Sequence, residues 1–598
     1  MNRSFVSSYR YKLLGTVVLI AFMAVLSRLS YLHIFNREHL NDIVEANRKK
    51  FDIIHACRGD VVDARGNVLA TTRSVIELGV DPQMLLEEDE AKWPVLAKLI
   101  KMPYKELAAL LRQKTWGTTA GDADAMRLIR WRKLVDMMDE DLYEKVAALK
   151  IKGVYGNRKF DRIYPGGDLA AHVLGYVNKE EQAVMGVEHY MDLYLRGQDG
   201  WRESERDGKR REMAQFRVRE VEKHDGYHVA LTIDSVVQHL IEEELELIAA
   251  DLKPQSASII VSEPTTGYIL GMANYPSYDP NKFWEYDLDT HRNRSVSDVY
   301  EPGSTFKIVA SSAALEEGIT KLSDEVDCGI SKVEYNGRIV RLPKDYKQFG
   351  VLSIEDVVRK SSNRGMAHLG MLLGENRLYK YAKAYGFGEK LGYGPGGEVS
   401  GMVADVKRWD GLTISRFPMG HAIGATALQV NYAMSVIANR GVLMKPKVVM
   451  RVFDDAGNTI VNYEPEVKRR VLSVGTAKVM AKLLSEVVGP NGTSRRADVK
   501  GFGVAGKSGT SQKIINGKYS TSHHIGSFSG FFPYDNPRVV MTIVIDDAKV
   551  SGTAYGGVVA APRFKNVAEK LIQYLNVQPI DERQKKLFAW RGDDHGRN

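Results

Sequence analysis

Cysteine is nearly absent from this chain, since its 598 residues include only Cys57 and Cys328. Two cysteines exclude a Cys-rich zinc site and a framework of several disulfides. A strong excess of charge of one sign is also lacking, because 83 Lys and Arg face 75 Asp and Glu, for a net charge of +8. The basic residues are spread along the whole length, whereas a nucleic-acid-binding protein usually gathers them on one face, so we expect no nucleic-acid partner.

Long apolar runs are absent too, except for one near the N-terminus. Residues 13–35 are mostly apolar and are interrupted by Arg28. As a helix this segment would be about 34 Å long, enough to span a bilayer. Three basic residues precede it: Arg3, Arg10 and Lys12. They place the N-terminus in the cytoplasm, and because no small-x-small cleavage site is evident, we expect a retained anchor rather than a cleaved signal peptide. This predicts a single-pass protein of the cytoplasmic (inner) membrane with its bulk extracytoplasmic, or periplasmic.

The chain beyond the anchor alternates between helical and strand patterns. Residues 92–149 have periodic apolar residues and predict helices, whereas the charged run 201–222 predicts a solvated ribbon between domains. After residue 225 a predicted strand at 228–233 precedes a long predicted helix at 235–252, and the mixture that follows is typical of an α+β fold. The predicted parts are a cytoplasmic tail (1–12), a transmembrane anchor (13–35), a pedestal domain (36–225), a second domain (226–577) and a polar C-terminal tail (578–598).

The first motif that suits catalysis is Ser304-x-x-Lys307, which follows Glu301-Pro302-Gly303 and precedes apolar residues that predict a buried helix. Positions three apart are neighbours on a helix, so we expect the Lys307 amine beside the Ser304 hydroxyl. A serine needs an adjacent base, and a lysine whose pKa is lowered by burial can be that base. The helix N-terminus would favour a developing oxyanion. By itself the motif also fits a helix cap followed by a surface lysine.

A second motif, Ser361-x-Asn363, begins 57 residues after Ser304. Ser361 could relay a proton to a leaving amine, and Asn363 could donate a hydrogen bond to a substrate amide. Taken alone, this pattern is more often a turn, because serine and asparagine both favour turns.

The third motif is Lys507-Ser508-Gly509-Thr510, which follows a Gly-rich segment and lies in a predicted strand. Glycines let another backbone approach closely, so a peptide substrate could add to this strand at a sheet edge. The Lys507 charge and the hydroxyls of Ser508 and Thr510 suit a carboxylate, and the backbone N–H of Thr510 is a candidate oxyanion donor. An ordinary Gly-rich turn is the alternative.

Together, and in this order, the three motifs resemble the Ser-x-x-Lys, Ser-x-Asn and Lys-Thr/Ser-Gly set of the penicillin-recognising serine enzymes. Further segments resemble the pedestal motifs of class B penicillin-binding proteins: 58–63, 162–165, 172–175 and 186–188. Three more segments resemble the septal, FtsI-type members of that class: 293–307, 420–429 and 556–562. Two positions depart from the family pattern. Arg65 is displaced by one place from the usual arginine, and Ser508 stands where many members have threonine but keeps the hydroxyl.

The resemblance implies the architecture of the chain. An N-terminal transmembrane helix is expected to precede an elongated pedestal of mixed structure, similar to the PBP dimerisation domain. The C-terminal domain is expected to be a penicillin-binding domain, similar to β-lactamases and serine transpeptidases, with a central antiparallel sheet flanked by helices. The overall class expected is therefore α+β.

The resemblance also implies a mechanism. Ser304 attacks the carbonyl of the penultimate D-Ala of a peptidoglycan stem peptide, and Lys307 takes the serine proton. Ser361 protonates the leaving D-Ala, and an amine from a neighbouring strand then forms the crosslink. The remaining roles fall to Asn363 and Lys507 as further catalytic residues, and to Ser508, Gly509 and Thr510 as binding residues. No metal and no organic cofactor are expected.

Several alternatives share this site. The chain could be the elongation-specific class B enzyme rather than the septal one, or a β-lactamase or D,D-carboxypeptidase that passes the acyl group to water. It could also act chiefly as a divisome scaffold. The partners that the resemblance implies are lipid II-derived peptidoglycan strands, β-lactams as covalent inhibitors, the membrane, an FtsW-type glycosyltransferase and other divisome proteins.

Overall fold

The computed structural model describes residues 8–116, 127–206 and 212–580. Residues 1–7 and 581–598 of the two predicted tails lie outside the described residues. The α-helices are α1 (Ser8–Ser30), α2 (Arg37–Arg48), α3 (Trp93–Leu99), α4 (Tyr104–Arg112), α5 (Glu140–Ala147), α6 (Ala171–Leu174), α7 (Gly186–Tyr190), α8 (Asp192–Leu195), α9 (Ser235–Leu252), α10 (Arg294–Ser297), α11 (Lys307–Glu316), α12 (Ile354–Arg359), α13 (Asn363–Leu373), α14 (Glu375–Ala384), α15 (Thr413–Arg416), α16 (Ala427–Ala438), α17 (Val474–Val488), α18 (Gly556–Val559) and α19 (Ala561–Tyr574).

The strands are numbered in the same way. They are β1 (Lys49–Ile54), β2 (Val61–Val62), β3 (Val68–Val80), β4 (Thr115–Trp116), β5 (Arg127–Leu128), β6 (Arg132–Met138), β7 (Val154–Ile163), β8 (Gly200–Arg206), β9 (Glu212–Val221), β10 (His228–Leu231), β11 (Ser256–Ser262), β12 (Ile269–Tyr275), β13 (Glu325–Asp327), β14 (Lys332–Tyr335), β15 (Arg338–Arg341), β16 (Val351–Ser353), β17 (Met402–Val403), β18 (Ile423–Gly424), β19 (Val442–Met444), β20 (Val449–Phe453), β21 (Thr459–Asn462), β22 (Val467–Arg470), β23 (Ala505–Ile515), β24 (Lys518–Phe532) and β25 (Val539–Asp546).

The N-terminal helix α1 continues into a π-helical turn at Tyr31–Phe35. Among the described residues, Ser8–Phe35 is the helix long and apolar enough to cross a membrane, and none of its central window is buried by the protein. Apolar side chains that no protein surface covers are stable in contact with lipid tails. The helix is therefore consistent with a single-pass membrane anchor.

Contacts divide the chain into two compact units, one of which comprises Met1–Arg58 and Arg196–Gly226. Its sheet has the order β1-β8-β9, and Phe51 stacks on Trp201 across the first pair with ring centroids 5.2 Å apart. The prediction of a solvated ribbon at 201–222 is thus wrong for the described part of that segment, because β8 and β9 are paired strands. Alternating charges suit an exposed sheet face as well as a ribbon.

The second unit comprises Gly59–Leu195 and Tyr227–Asn598, and one of its sheets has the order β21-β20-β10-β2-β3-β6, with β7 also paired to β3. The helices α3, α4 and α5 lie within the segment predicted to be helical, but β6 is a strand there, so the prediction is wrong for that part. The register of β6 against β3 shifts twice. Buried Leu134 and Met138 stand four residues apart, a spacing that puts two residues on one face of a strand as well as on one face of a helix. The predicted domain boundaries stay a prediction.

The central sheet of this unit is antiparallel, with the order β12-β11-β25-β24-β23. Alternate residues of a strand point to opposite faces. Ile259 accordingly packs in one cluster with side chains of α9 and α19, whereas Ile260 packs in another with side chains of α11 and α16. This is the antiparallel sheet flanked by helices that the sequence analysis predicts, and it leaves β23 at the edge of the sheet.

Candidate active site

Ser304 lies on a short 3-10 turn, Gly303–Phe306, which leads directly into α11 at Lys307. The turn packs against the edge strand, because a Cβ on Gly303 would stand 2.6 Å from the Thr510 carbonyl oxygen. Gly303 has a φ of +54°, a backbone conformation that favours glycine. The lead-in to the first motif is therefore shaped by the third motif, which lies about two hundred residues further along the sequence.

Lys307 is fully buried, and its ammonium group is the centre of the polar cluster. Its Nζ donates to the carbonyl oxygen of Ser361 at 2.7 Å, to Ser361 Oγ at 3.1 Å and to Asn363 Oδ1 at 2.8 Å. Ser361 Oγ in turn donates to Ser304 Oγ at 3.3 Å. Among the hydrogen bonds of the described residues, Lys307 therefore reaches Ser304 through Ser361. The helical spacing had predicted a direct contact between the Lys307 amine and the Ser304 hydroxyl, and no direct hydrogen bond joins the two.

Ser361 holds an uncommon backbone conformation, with a φ of +56°. Non-glycine residues in this left-handed region are strained and are found disproportionately at functional sites. The conformation turns both the carbonyl and the hydroxyl of Ser361 toward the same ammonium group. The strain thus coincides with the link between the nucleophile and the lysine.

Burial has a strong electrostatic effect on the two lysines of the motifs. Desolvation holds the pKa of Lys307 well below its usual value, the positive Lys507 lowers that pKa further, and Asp345 opposes both. Burial alone lowers the pKa of Lys507 to about 7. Its Nζ donates to the Ser508 carbonyl oxygen at 3.1 Å. A lysine with a lowered pKa can be neutral near pH 7 and accept a proton.

Asp345 holds the second motif in place and was missed by the sequence analysis. Ser362 caps α13 by accepting a hydrogen bond from Gly365 N at 3.0 Å, and it donates to Asp345 Oδ2 at 2.9 Å. The backbone N–H of Asn363 donates to the other oxygen of Asp345. No local sequence pattern marks Asp345, since it lies in a loop and meets Ser362 and Asn363 only when the chain is folded.

The edge strand β23 carries the third motif. Gly509 fits closely there, because a Cβ on it would stand 2.6 Å from both the Pro302 carbonyl oxygen and Ser527 Oγ. The hydroxyl oxygens of the motif accept bonds from the protein: Ser508 Oγ from Ser494 Oγ at 3.0 Å, and Thr510 Oγ1 from Gly556 N at 3.0 Å. Neither Ser494 nor Gly556 was singled out as a site residue from the sequence.

The structure therefore brings the three motifs together. Hydrogen bonds connect the first to the second, and close backbone packing connects the first to the third. The arrangement brings together the Ser304 hydroxyl, the buried Lys307 amine that is linked to it through Ser361, and a sheet edge that carries two further hydroxyl groups. Within the described ranges, no group of three or more His, Cys, Asp or Glu could hold a metal ion.

Comparison with known proteins identifies the family of this chain. Residues 257–569 match the penicillin-binding protein transpeptidase domain, and residues 53–231 match the penicillin-binding protein dimerisation domain. The chain is 31% identical to stage V sporulation protein D of Bacillus subtilis over 578 residues, covering 96% of this chain and 86% of that protein. It is 27% identical to the peptidoglycan D,D-transpeptidase FtsI of Escherichia coli, covering 96% and 93%.

A solved structure is similar over a comparable length. It is that of penicillin-binding protein 3 of Mycobacterium tuberculosis complexed with aztreonam, with a TM-score of 0.67, 26% identity and coverage of 88% of this chain and 98% of that one. The chain belongs to the class B penicillin-binding proteins. It is a serine-type peptidoglycan D,D-transpeptidase.

Proposed function

We propose that this chain crosslinks peptidoglycan stem peptides through an acyl-enzyme on Ser304. The observation that carries this is the hydrogen-bonded row Ser304–Ser361–Lys307 beside the edge strand β23. Ser304 Oγ attacks the carbonyl carbon of the penultimate D-Ala, the peptide bond breaks, and D-Ala leaves. The amine of a second strand then attacks the ester and restores the serine. The proposed step uses no metal and no organic cofactor.

The proton follows the same row. With Lys307 protonated, the bonds run from Lys307 to Ser361 and from Ser361 to Ser304, which is the direction needed to deliver a proton to the leaving amine. When Lys307 is neutral, both bonds reverse, and the Ser304 proton passes through Ser361 to Lys307. The lowered pKa of Lys307 favours that neutral state before the attack. Asn363 keeps Lys307 oriented during both steps.

Binding is proposed for the edge strand. The backbone N–H groups of Ser304 and Thr510 hold the oxyanion, each contributing roughly 3 kcal/mol to stabilisation of the transition state. The close packing of Gly303 on Thr510 supports this pairing. The Ser508 and Thr510 hydroxyls bind the substrate carboxylate, Lys507 contributes positive charge, and Gly509 allows the close approach. A β-lactam would enter the same site as a covalent inhibitor, and the complex of the similar mycobacterial protein with aztreonam supports a β-lactam as ligand.

The cellular role proposed is septal wall synthesis. We infer a single-pass protein of the cytoplasmic membrane with its catalytic domain outside, acting on lipid II-derived strands with an FtsW-type glycosyltransferase and other divisome proteins. The resemblance of segments 293–307 and 420–429 to septal enzymes supports this role. A sporulation or elongation role is the competing proposal. The 31% identity with the sporulation protein supports the sporulation role. Depletion would give filaments for a septal role, round cells for elongation, and normal growth without spores for sporulation.

Covalent labelling with a fluorescent penicillin tests the chemistry. The full-length protein in detergent should take up a lasting label, Ser304→Ala should take up none, and Ser485→Ala, a serine outside the site, should label like the wild type. A wild-type label that fades within minutes would indicate a β-lactamase or a carboxypeptidase. A Ser304→Ala protein that still supports division would favour a scaffold, and no label on folded wild type would overturn the proposal.

A further inference from the structure

We propose that Ser494 is a positioning residue that sets the direction in which the Ser508 hydroxyl donates, so that an incoming carboxylate meets a preset O–H donor. The inference rests on the proposed carboxylate-binding role of Ser508 and Thr510. Ser494 lies between α17 and β23, outside the three motifs, and touches the site through one side-chain bond.

Ser494 is held rigidly before any ligand arrives. The residue is completely buried, with 0% of its surface exposed. Its backbone N–H donates to the Val487 carbonyl oxygen at 3.0 Å, and its own carbonyl accepts from Ala497 N at 2.9 Å. With the backbone fixed at both ends, its Oγ donates to Ser508 Oγ at 3.0 Å. This is the one side-chain hydrogen bond of Ser494 among the described residues.

The direction of that bond decides what Ser508 can bind. A hydroxyl has a single proton and two acceptor sites, so a serine oxygen that accepts from Ser494 keeps its proton for another partner. Thr510 is arranged in the same way, because its Oγ1 accepts from Gly556 N at 3.0 Å. Across residues 8–116, 127–206 and 212–580, neither hydroxyl donates to a protein acceptor. The edge therefore carries two O–H groups that both need an acceptor from outside.

A carboxylate is the ligand that satisfies both groups. An ionised carboxylate only accepts hydrogen bonds and offers two oxygens, one for each hydroxyl, whereas an ammonium group only donates and can satisfy neither. A hydroxyl that already accepts a bond is also a stronger donor, because successive bonds polarise each other. Ser494 thus makes Ser508 both oriented and stronger as a donor. Without Ser494, the Ser508 hydroxyl could rotate, and part of the binding free energy would be lost in ordering it.

The test compares a penicillin that has its carboxylate with the same penicillin as a methyl ester. We expect Ser494→Ala to lower the second-order rate of acylation by benzylpenicillin by about three- to tenfold, the range of a single hydrogen bond. The rate for the methyl ester should be unchanged. Ser494→Thr keeps a hydroxyl and should restore the rate. Ser494→Cys, which is close in size but a weak donor, should show the loss without leaving a cavity.

Matched variants separate this inference from the proposal beneath it. Ser435→Ala removes another buried serine hydroxyl, far from the motifs in sequence, and should leave both rates unchanged. An equal loss for acid and ester in Ser494→Ala would assign Ser494 a structural role and overturn the inference. If Ser508→Ala lowers the rate for the acid alone while Ser494→Ala does not, only the inference fails. If Ser508→Ala and Thr510→Ala both leave the preference for the acid intact, the carboxylate assignment itself fails.

Discussion

Phe528, Ile543 and Ile259 stand side by side on β24, β25 and β11, because paired residues of antiparallel strands share a face. This face of the central sheet packs against α9 and α19, and its core cluster consists of apolar side chains. Phe564 of α19 packs edge-on against Phe528 with ring centroids 4.7 Å apart. The sheet residues in this cluster are apolar and can be close-packed, and the buried polar groups on this side, Gln238 and Glu244, belong to α9.

One residue further along each strand, the opposite face is different. Lys507, Ser529 and Thr542 form a row across β23, β24 and β25. All three are buried, Ser529 and Thr542 hydroxyls lie 2.7 Å apart, and Asn431 of α16 donates to Thr542 Oγ1 at 3.2 Å. Buried polar groups reduce stability unless each one is bonded. The comparison teaches that one face holds the sheet together, while the other gives up stability to keep the amine of Lys507 buried in the strand that carries the third motif.

The largest effect should come from Lys307 of α11, the helix that packs on the same side of the sheet as the polar row. Lys307→Arg keeps a positive charge but cannot become neutral, so it cannot accept the serine proton. We expect the acylation rate to fall by about a thousandfold, within the range of lost general-base catalysis. The acylation rate is measured from the time course of labelling with fluorescent penicillin. Lys478→Arg, on the exposed side of α17, is the matched control. A rate within tenfold of the wild type would exclude Lys307 as the base.

The next effect concerns the apolar face alone. Phe564→Ala empties a fully buried ring site, and we expect about 3–5 kcal/mol less free energy of unfolding. The folded protein should still acylate at the wild-type rate, because Phe564 lies on the side of the sheet away from Lys307. Urea denaturation gives the stability, and labelling below the transition gives the rate. If the folded variant lost its acylation rate, the two faces would not be separable in the way proposed.

A third prediction measures what the buried amine costs. The pKa of Lys507 is about 7 in the folded chain and near 10.5 when unfolded. Between these values the unfolded state binds more protons, so the free energy of unfolding rises with pH and is lowest at and below pH 7. Lys507→Met removes that dependence. The variant should gain at least about 1 kcal/mol more over wild type at pH 7 than at pH 10, the equivalent of one pKa unit. An equal difference at both pH values would contradict a desolvated Lys507.

The contrast between the faces also explains what the sequence could and could not predict. The motif residues Ser304, Lys307 and Lys507 are recognisable because each motif is a short run, and the apolar strands are recognisable from their composition. Asp345 and Ser494 were missed because each contributes through a few side-chain hydrogen bonds from a loop with no repeating pattern. The link of Lys307 to Ser304 through Ser361 depends on the left-handed backbone of Ser361, which spacing along the chain does not encode.

The smallest effect should come from the far end of the polar row. Thr542→Val keeps the shape of the side chain but removes the hydroxyl that Ser529 and Asn431 both contact. We expect about 1 kcal/mol less free energy of unfolding, because the amide of Asn431 loses its best partner while two longer contacts to carbonyl oxygens at 3.4 Å remain. Ile543→Val, the adjacent residue on the apolar face, should destabilise by a similar amount and serves as the matched control.

The two variants should differ only in their effect on the acylation rate. Thr542→Val disturbs the row that ends at Lys507 and should change the acylation rate slightly, within about threefold, whereas Ile543→Val should leave it unchanged. If Ile543→Val changed the acylation rate more than Thr542→Val, the active site would depend more on the packing of the apolar face than on the polar row.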